Sequence, residues 1–429
     1  MFRDCNVGFG SGAVAARGRV VRRWTASGRE CYARSGDGAM NRHRKFVLAA
    51  VLWLVAASAA AQSPAELSPG VTAKRILFGQ SAALGGPAAI LGTEMRAGIV
   101  AAFEEVNRAG GIDGRRLELR SYDDRYEPEL AIANTRRLID NDGVFALIGA
   151  VGTPTSAAAE PIAHAAGVPF IAPFSGAEFL RDSALGQVVN VRATYFEETE
   201  AIVARLIGDL GISRIAVLYQ DDSFGRGGLA GVRRALERRG LEPVGAGTYM
   251  RNTTAVKTAL LGLRRQKPEA IVVIGAYQPS AAFTQWARKL GVEAQIVNIS
   301  FVGSDALADA LGPAGNGVHV TQVMPFPEGD SIPLLAEYRE ALVASDAAAQ
   351  PSFASLEGYV GGRLTAAVLT RAGNPPSREG FLATLTETGT FDIGGFTLTY
   401  GPHDNRGSHR VFLTVIRDGR VVPVERFTR

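Results

Sequence analysis

The sequence predicts an α/β fold: two doubly wound lobes, each built on a parallel sheet. Three observations predict it. From Arg75 onward, short apolar runs alternate with amphipathic stretches, the βαβα order that yields parallel sheets. The series starts a second time after Arg192, so the pattern fills two halves of similar design. The last hundred residues break the pattern, as expected if the chain returns to complete one lobe and then the other, with several crossovers.

In the first half, Ile76 to Gly79 reads as a strand. Met95, Ile99, Phe103 and Val106 share one helical face, and Gly110-Gly111 ends that helix. Leu117 to Tyr122 is a strand, and Pro128 opens a helix that runs through Ile139. Phe145 to Ile148, Pro169 to Ala172 and Val188 to Val191 follow as short buried strands. In the second half a helix is expected from Phe196 to Leu210, a strand at Ile215–Tyr219 and a helix at Gly228–Arg239. Strands at Val244–Tyr249, Ala270–Ile274 and Gln295–Asn298 alternate with helices at Val256–Leu263 and Ser280–Leu290. Two long helices, Pro333–Ser345 and Phe353–Ala372, come next. The runs at Val411–Ile416 and Val421-Val422 then form a hairpin about Arg417-Asp-Gly-Arg420, with Asp-Gly as the turn signal.

Charge and cysteine content exclude several functions. Of 46 basic and 42 acidic residues, ten and three lie in residues 1–61, leaving residues 62–429 near −3. A basic partner surface for nucleic acid or anionic membrane does not survive that subtraction. Asn41 to Lys45 is basic, Phe46 to Ala57 is apolar, and Ser58 to Gln62 carries the small residues of a cleavage site. Residues 40–61 therefore read as a secretory signal peptide that directs the chain to the periplasm. No Cys follows the apolar run, which argues against lipid anchoring. Residues 1–39 are Gly/Arg-rich and aperiodic, and read as an upstream extension ahead of a true start at Met40. Cys5 and Cys31 both lie there, so the exported protein relies on its core and not on disulfides.

Catalytic patterns are scarce. His164, His319, His403 and His409 are scattered, and there is no Gly-x-Ser-x-Gly elbow, no His-Glu-x-x-His and no P-loop lysine. No enzyme activity, cofactor or metal is expected. One stretch does suggest binding. After the strand ending at Ile148, Gly149 and Gly152 turn the chain and Thr153-Pro154 opens an Ala-rich helix, with Thr153 expected as its cap. Amides, the hydroxyls of Thr153 and Thr155 and the positive end of the helix dipole meet there, which suits a carboxylate. The next strand ends in a similar loop at Phe174-Ser175-Gly176.

In order and spacing, Gly79 to Ala88, Phe103 to Ile112, Tyr122-Asp-Asp124 and Ile148-Gly149 resemble a known family, as do Ala172 to Ser175, Tyr219 to Gly225 and Phe301 to Ser304. It is the leucine/isoleucine/valine-type periplasmic solute-binding proteins of ABC transporters, and the resemblance spans residues 72–420. It implies the type I periplasmic binding fold, with two Rossmann-like lobes on a three-crossover hinge and a ligand held between them. The hinge is expected near residues 191–193 and 321–324. The lobes are expected at residues 74–192 plus 324–395 and at residues 193–323 plus 396–429.

By the resemblance, Thr153 holds the ligand's carboxylate, and Phe174, Ser175 and Gly176 contact its carboxylate and ammonium. Leu91 falls where the family often has an aromatic wall, and Phe224 and Tyr277 close from the second lobe. Ser300 stands where the family has the acid that pairs with an ammonium, a departure that opens the way to carboxylates without an amine. The implied role is that of a monomeric receptor, which passes an amino acid or related carboxylate to permease subunits. An exported sensing module on the same fold is the alternative.

Overall fold

The computed structural model describes residues 67–428. The extension at residues 1–39 and the signal segment at residues 40–61 lie outside the described residues.

Strands β1 (Arg75–Ala82), β2 (Arg116–Asp123), β3 (Ala146–Ile148), β4 (Phe170–Ile171) and β5 (Val188–Val189) form a parallel sheet in the order β2-β1-β3-β4-β5. Strands β6 (Ile215–Gln220), β7 (Gly245–Tyr249), β8 (Ala270–Ile274), β9 (Gln295–Asn298) and β10 (His319–Gln322) make the parallel part of a second sheet. Strands β11 (Thr390–Ile393), β12 (Phe396–Gly401) and β13 (Asp404–Gly407) form a small antiparallel sheet of their own. Strands β14 (Phe412–Arg417) and β15 (Arg420–Val424) extend the second sheet to seven strands, in the order β15-β14-β10-β9-β8-β6-β7. Residues 270–274 are buried throughout because parallel strands are covered on both faces, so β8 reads as a continuous apolar run.

The helices are α1 (Ala89–Arg108), α2 (Pro128–Arg136), α3 (Thr153–Ala165), α4 (Tyr195–Leu210), α5 (Ser223–Glu237) and α6 (Lys257–Arg265), followed by α7 (Tyr277–Lys289), α8 (Ser304–Leu311), α9 (Pro333–Ser345), α10 (Phe353–Leu369) and α11 (Arg378–Thr388). Helix α10 returns to pack on α1 at unusually close range. A Cβ on Gly98 would stand 1.8 Å from the Ser355 carbonyl oxygen, and one on Gly358 would stand 2.2 Å from that of Met95. Glycine at these positions lets the two backbones touch.

The chain passes between the two main sheets three times: after β5, after β10 and between β13 and β14. The first two passages fall at the expected hinge segments. The expected second-lobe segment 396–429 divides. Strands β14 and β15 join the second sheet, whereas residues 396–407 stay with the first. Tyr400 donates its hydroxyl to the Asn190 carbonyl at 2.7 Å, and the Asn190 amide donates to the Asn405 carbonyl at 2.9 Å. The anchors are single polar side chains that hydrophobic periodicity does not register.

Helix starts differ from expectation where a polar cap governs them. Helix α5 begins at Ser223 and not Gly228, because the Asp222 carboxylate accepts from the amides of Phe224 at 3.0 Å and Gly225 at 3.4 Å. Helix α4 starts with a reciprocal box, Thr194 with Glu197. The Asp-Gly hairpin forms as expected: Arg417 pairs with Arg420, and Asp418 and Gly419 both have positive φ, at 49° and 74°. Helices α8 and α11 and the small sheet were not expected.

Candidate functional site

The carboxyl ends of β3 and β4 face those of β6, β8 and β9, and the space between is filled with rings and hydroxyls. Thr153 lies inside α3 as its first residue and not at its cap, which is Gly152 with φ of 104°. A Cβ at Gly152 would press on the Tyr126 ring at 2.2 Å, so a capping Thr cannot occupy that place. Freed from capping, the Thr153 hydroxyl pairs with Ser175 Oγ at 2.8 Å and with the Tyr195 hydroxyl at 3.1 Å. All three residues are fully buried. Burial raises the Tyr195 pKa, so its hydroxyl stays protonated and is a fixed donor or acceptor in this cluster.

Ser175 Oγ also accepts from the Ala177 amide at 3.3 Å, and Arg181 grips the loop from behind by donating to the Ser175 carbonyl at 2.7 Å. Gly176 sits where a Cβ would strike the Tyr195 ring and backbone, and its carbonyl accepts from the Tyr195 amide at 2.7 Å. Thr155 faces its own helix, donating to the carbonyls of Val151 at 2.5 Å and Gly152 at 3.0 Å, so its hydroxyl proton is already committed.

Around this polar point stands an aromatic cluster drawn from both lobes. Phe301 lies 5.9 Å from Tyr126 and 5.5 Å from Phe174, both on the first lobe, and 4.5 Å from Phe224 on the second. Phe224 in turn lies 5.4 Å from Tyr195. Leu91 and Tyr277 meet further out against Gly303, where an added Cβ would stand 2.6 Å from Leu91 Cδ2 and 4.0 Å from Tyr277 Cδ1. Leu91 is buried and Tyr277 half-buried.

Ser300 lies 6% exposed beside a charged group that sequence reasoning missed. Arg192, on the first passage between the lobes, donates from Nη2 to Ser300 Oγ. It stands 3.6 Å from Glu198 and 3.5 Å from Glu357, all three essentially without solvent contact. Glu198 accepts from the Ser300 amide at 2.8 Å, Ser300 Oγ at 2.9 Å and Thr321 Oγ1 at 2.6 Å. Burial pushes the Glu357 carboxyl up to about 7, with Arg192 opposing it. Burial lowers the Arg192 pKa, but Glu357 and Glu198 more than offset it and hold the guanidinium charged.

The two lobes touch through polar bridges as well. Gln220 Nε2 donates to the Tyr126 hydroxyl at 3.1 Å, Arg251 to Glu127 at 2.7 Å and Asn252 to Glu127 at 2.8 Å. The cleft is therefore closed. Of the nine residues singled out, Thr153, Phe174, Ser175, Gly176, Phe224 and Ser300 belong to one inner site. Leu91 and Tyr277 pair at its rim, and Thr155 is turned to its own backbone. Tyr126, Tyr195 and Phe301 were missed, since a single aromatic carries no sequence signal that tells a cleft from a core. Arg192 carried the one available signal, a cation in the apolar stretch Val188 to Ala193. Among the described residues, no group of three His, Cys, Asp or Glu is placed to hold a metal ion, and no helix is long and apolar enough to cross a membrane.

The family model described as Periplasmic binding protein matches residues 76–420. The chain belongs to that family. Members of it are periplasmic and bind solutes. One relative, the Leu/Ile/Val-binding protein homolog 7 of Brucella abortus, is 28% identical over 302 residues, covering 67% of this chain and 74% of that protein. The solved structure of a possible leucine/isoleucine/valine-binding protein from Rhodopirellula baltica is 38% identical with a TM-score of 0.79, covering 82% of this chain and 96% of that one. A substrate-binding periplasmic protein from Ralstonia solanacearum is 31% identical with a TM-score of 0.76, covering 81% and 100%. This periplasmic binding protein thus shares its α/β architecture of parallel sheets with relatives that are substrate-binding proteins.

Proposed function

We propose that this periplasmic binding protein is the solute receptor of an ABC transporter, capturing a small carboxylate between its lobes and delivering it to the permease subunits. One observation carries the reading: the Thr153 hydroxyl, buried at the start of a helix, converges with Ser175 and Tyr195 at the interface of the two lobes. Hydroxyls and helix-start amides solvate a carboxylate without burying a protein cation against it. The ring cluster of Phe174, Phe224 and Phe301 would take the apolar body of the ligand. On this reading the ligand displaces Phe301 from the centre of the cluster, and Leu91 and Tyr277 close the rim.

The lobes are assigned as residues 74–192 plus 324–407 and residues 193–323 plus 408–428, turning about the three passages between the sheets. The receptor works as a monomer in the periplasm after cleavage near Ala61, without catalysis and without a cofactor. A bridge such as Arg251 to Glu127 breaks when the lobes open and re-forms on closure. Denaturing mass spectrometry of protein purified from the periplasm tests this directly. A copurified small carboxylic acid and a mature chain beginning near Gln62 are expected. An uncharged sugar in the cleft or an intact residue 1–39 segment would refute the corresponding part.

A further inference from the structure

Ser300 offers three groups to its surroundings, and all three are spent inside the protein. Its amide and its hydroxyl proton go to Glu198, and its hydroxyl oxygen accepts from Arg192. Glu198 is spent as well, with three hydrogen bonds from Ser300 and Thr321 besides the ion pair to Arg192. Glu357, from helix α10, gives its charge to the other side of the same guanidinium at 3.5 Å. Arg181 lies behind the group, its Nη2 donating to the Arg192 carbonyl at 3.1 Å. Two arginines therefore stand against two glutamates in a space closed to water.

Arg192 also lies over the Phe174 ring, with its guanidinium carbon 4.8 Å from the ring centroid, and Phe174 is one wall of the ring cluster. A positive charge is thus already built into the floor beside Ser300, one ring away from the candidate ligand body. An ammonium brought there would meet Glu198 already spent and Glu357 already paired with Arg192, with Glu357 Oε1 alone left without a hydrogen bond, and would add a third buried cation, which is costly in a water-free interior.

We propose that Arg192 occupies the role that a ligand's α-amino group would otherwise fill, so that the receptor selects monocarboxylates with an apolar or aromatic body and no α-amine. This rests on the carboxylate reading of the Thr153 and Ser175 cluster and narrows its ligand class. Arg192 acts here through charge and through Ser300; it is a specificity-determining residue. The apolar side of the selection comes from Phe174, Phe224 and Phe301.

The test is calorimetry on the mature protein with matched pairs: leucine against 4-methylpentanoate, and phenylalanine against 3-phenylpropanoate. The deaminated member of a pair should bind about 100-fold more tightly or better, the factor expected when a buried charge lacks its partner. Arg192→Met frees Glu198 and Glu357 and should shrink that preference at least tenfold. Circular dichroism reports whether the variant folds. Should it not, Ser300→Glu supplies an acid at the same place and should shrink the preference in the same sense. Amino acids binding as well as their deaminated partners would overturn the inference. If Thr153→Val weakens those same amino acids, the carboxylate reading stands without it. If no carboxylate of the panel binds and an uncharged solute does, the reading falls and the inference with it.

Discussion

Arg251 of the second lobe reaches Glu127 of the first at 2.7 Å, and its other terminal nitrogen donates to Asp222 at 3.1 Å. Asp222 caps helix α5, which carries Phe224 into the ring cluster. The bridge therefore joins the edge of the cleft to the element that lines its centre. It exists only while the lobes are together.

Glu127→Gln tests the worth of that bridge. The Glu127 side chain is 39% exposed, so solvent screens the pair and its contribution is small, about 0.2–1 kcal/mol. Ligand affinity should fall roughly two- to fivefold, and the loss should shrink at high ionic strength. Calorimetry at low and high salt measures both. An affinity loss that does not change with salt would show that Glu127 acts through shape and not charge.

Glu94 gives a pH dependence with a definite sign. Burial, helped by Asp305 and Asp309 and opposed by the hydrogen bond from Ser352, pushes its carboxyl up from 4.5 to about 7. The folded state then holds a proton between these values that the unfolded state has released. Stability from this group is full below about pH 4.5 and is lost as pH rises through 7. Glu94→Gln keeps the neutral form at every pH, so its stability relative to the wild type should rise from pH 5 to pH 7.5. Thermal melts of both proteins across that range check it; a constant difference would contradict it.

Phe301 meets Tyr126, Phe174 and Phe224 and has no solvent contact. Phe301→Ala should cost about 3–5 kcal/mol of stability through the cavity it leaves. If the ligand takes the place of that ring, a bound ligand should recover part of the loss. Urea unfolding with and without ligand measures the two costs. Equal losses in both states would show that Phe301 is core and not a gate to the cleft.

Much of the fold was legible because parallel strands covered on both faces leave unbroken apolar runs such as Ala270 to Ile274, and because Asp418-Gly419 names its own turn. The first crossing was legible as the break between two series after Arg192, and the second came from the family resemblance. The small sheet was not, since its place is fixed by Tyr400 and Asn405 holding Asn190 and Leu180, contacts more than two hundred residues apart. Within the site, Thr153, Phe174 and Ser175 could be read from loops at strand ends. Tyr126, Tyr195 and Phe301 could not, because in sequence a buried ring looks the same whether it faces a core or a cleft. The charged group of Arg192, Glu198 and Glu357 draws its members from three distant segments, and only the closed fold brings them together.

The most direct test of the carboxylate site is titration of a bound carboxylate into Thr153→Val. The substitution keeps the shape of the side chain and removes the hydroxyl that pairs with Ser175 and Tyr195. If that hydroxyl holds a charged oxygen, affinity should fall by roughly 1.5–3 kcal/mol, with folding intact by circular dichroism. Tight binding of an uncharged sugar, with Thr153→Val silent, would contradict the account.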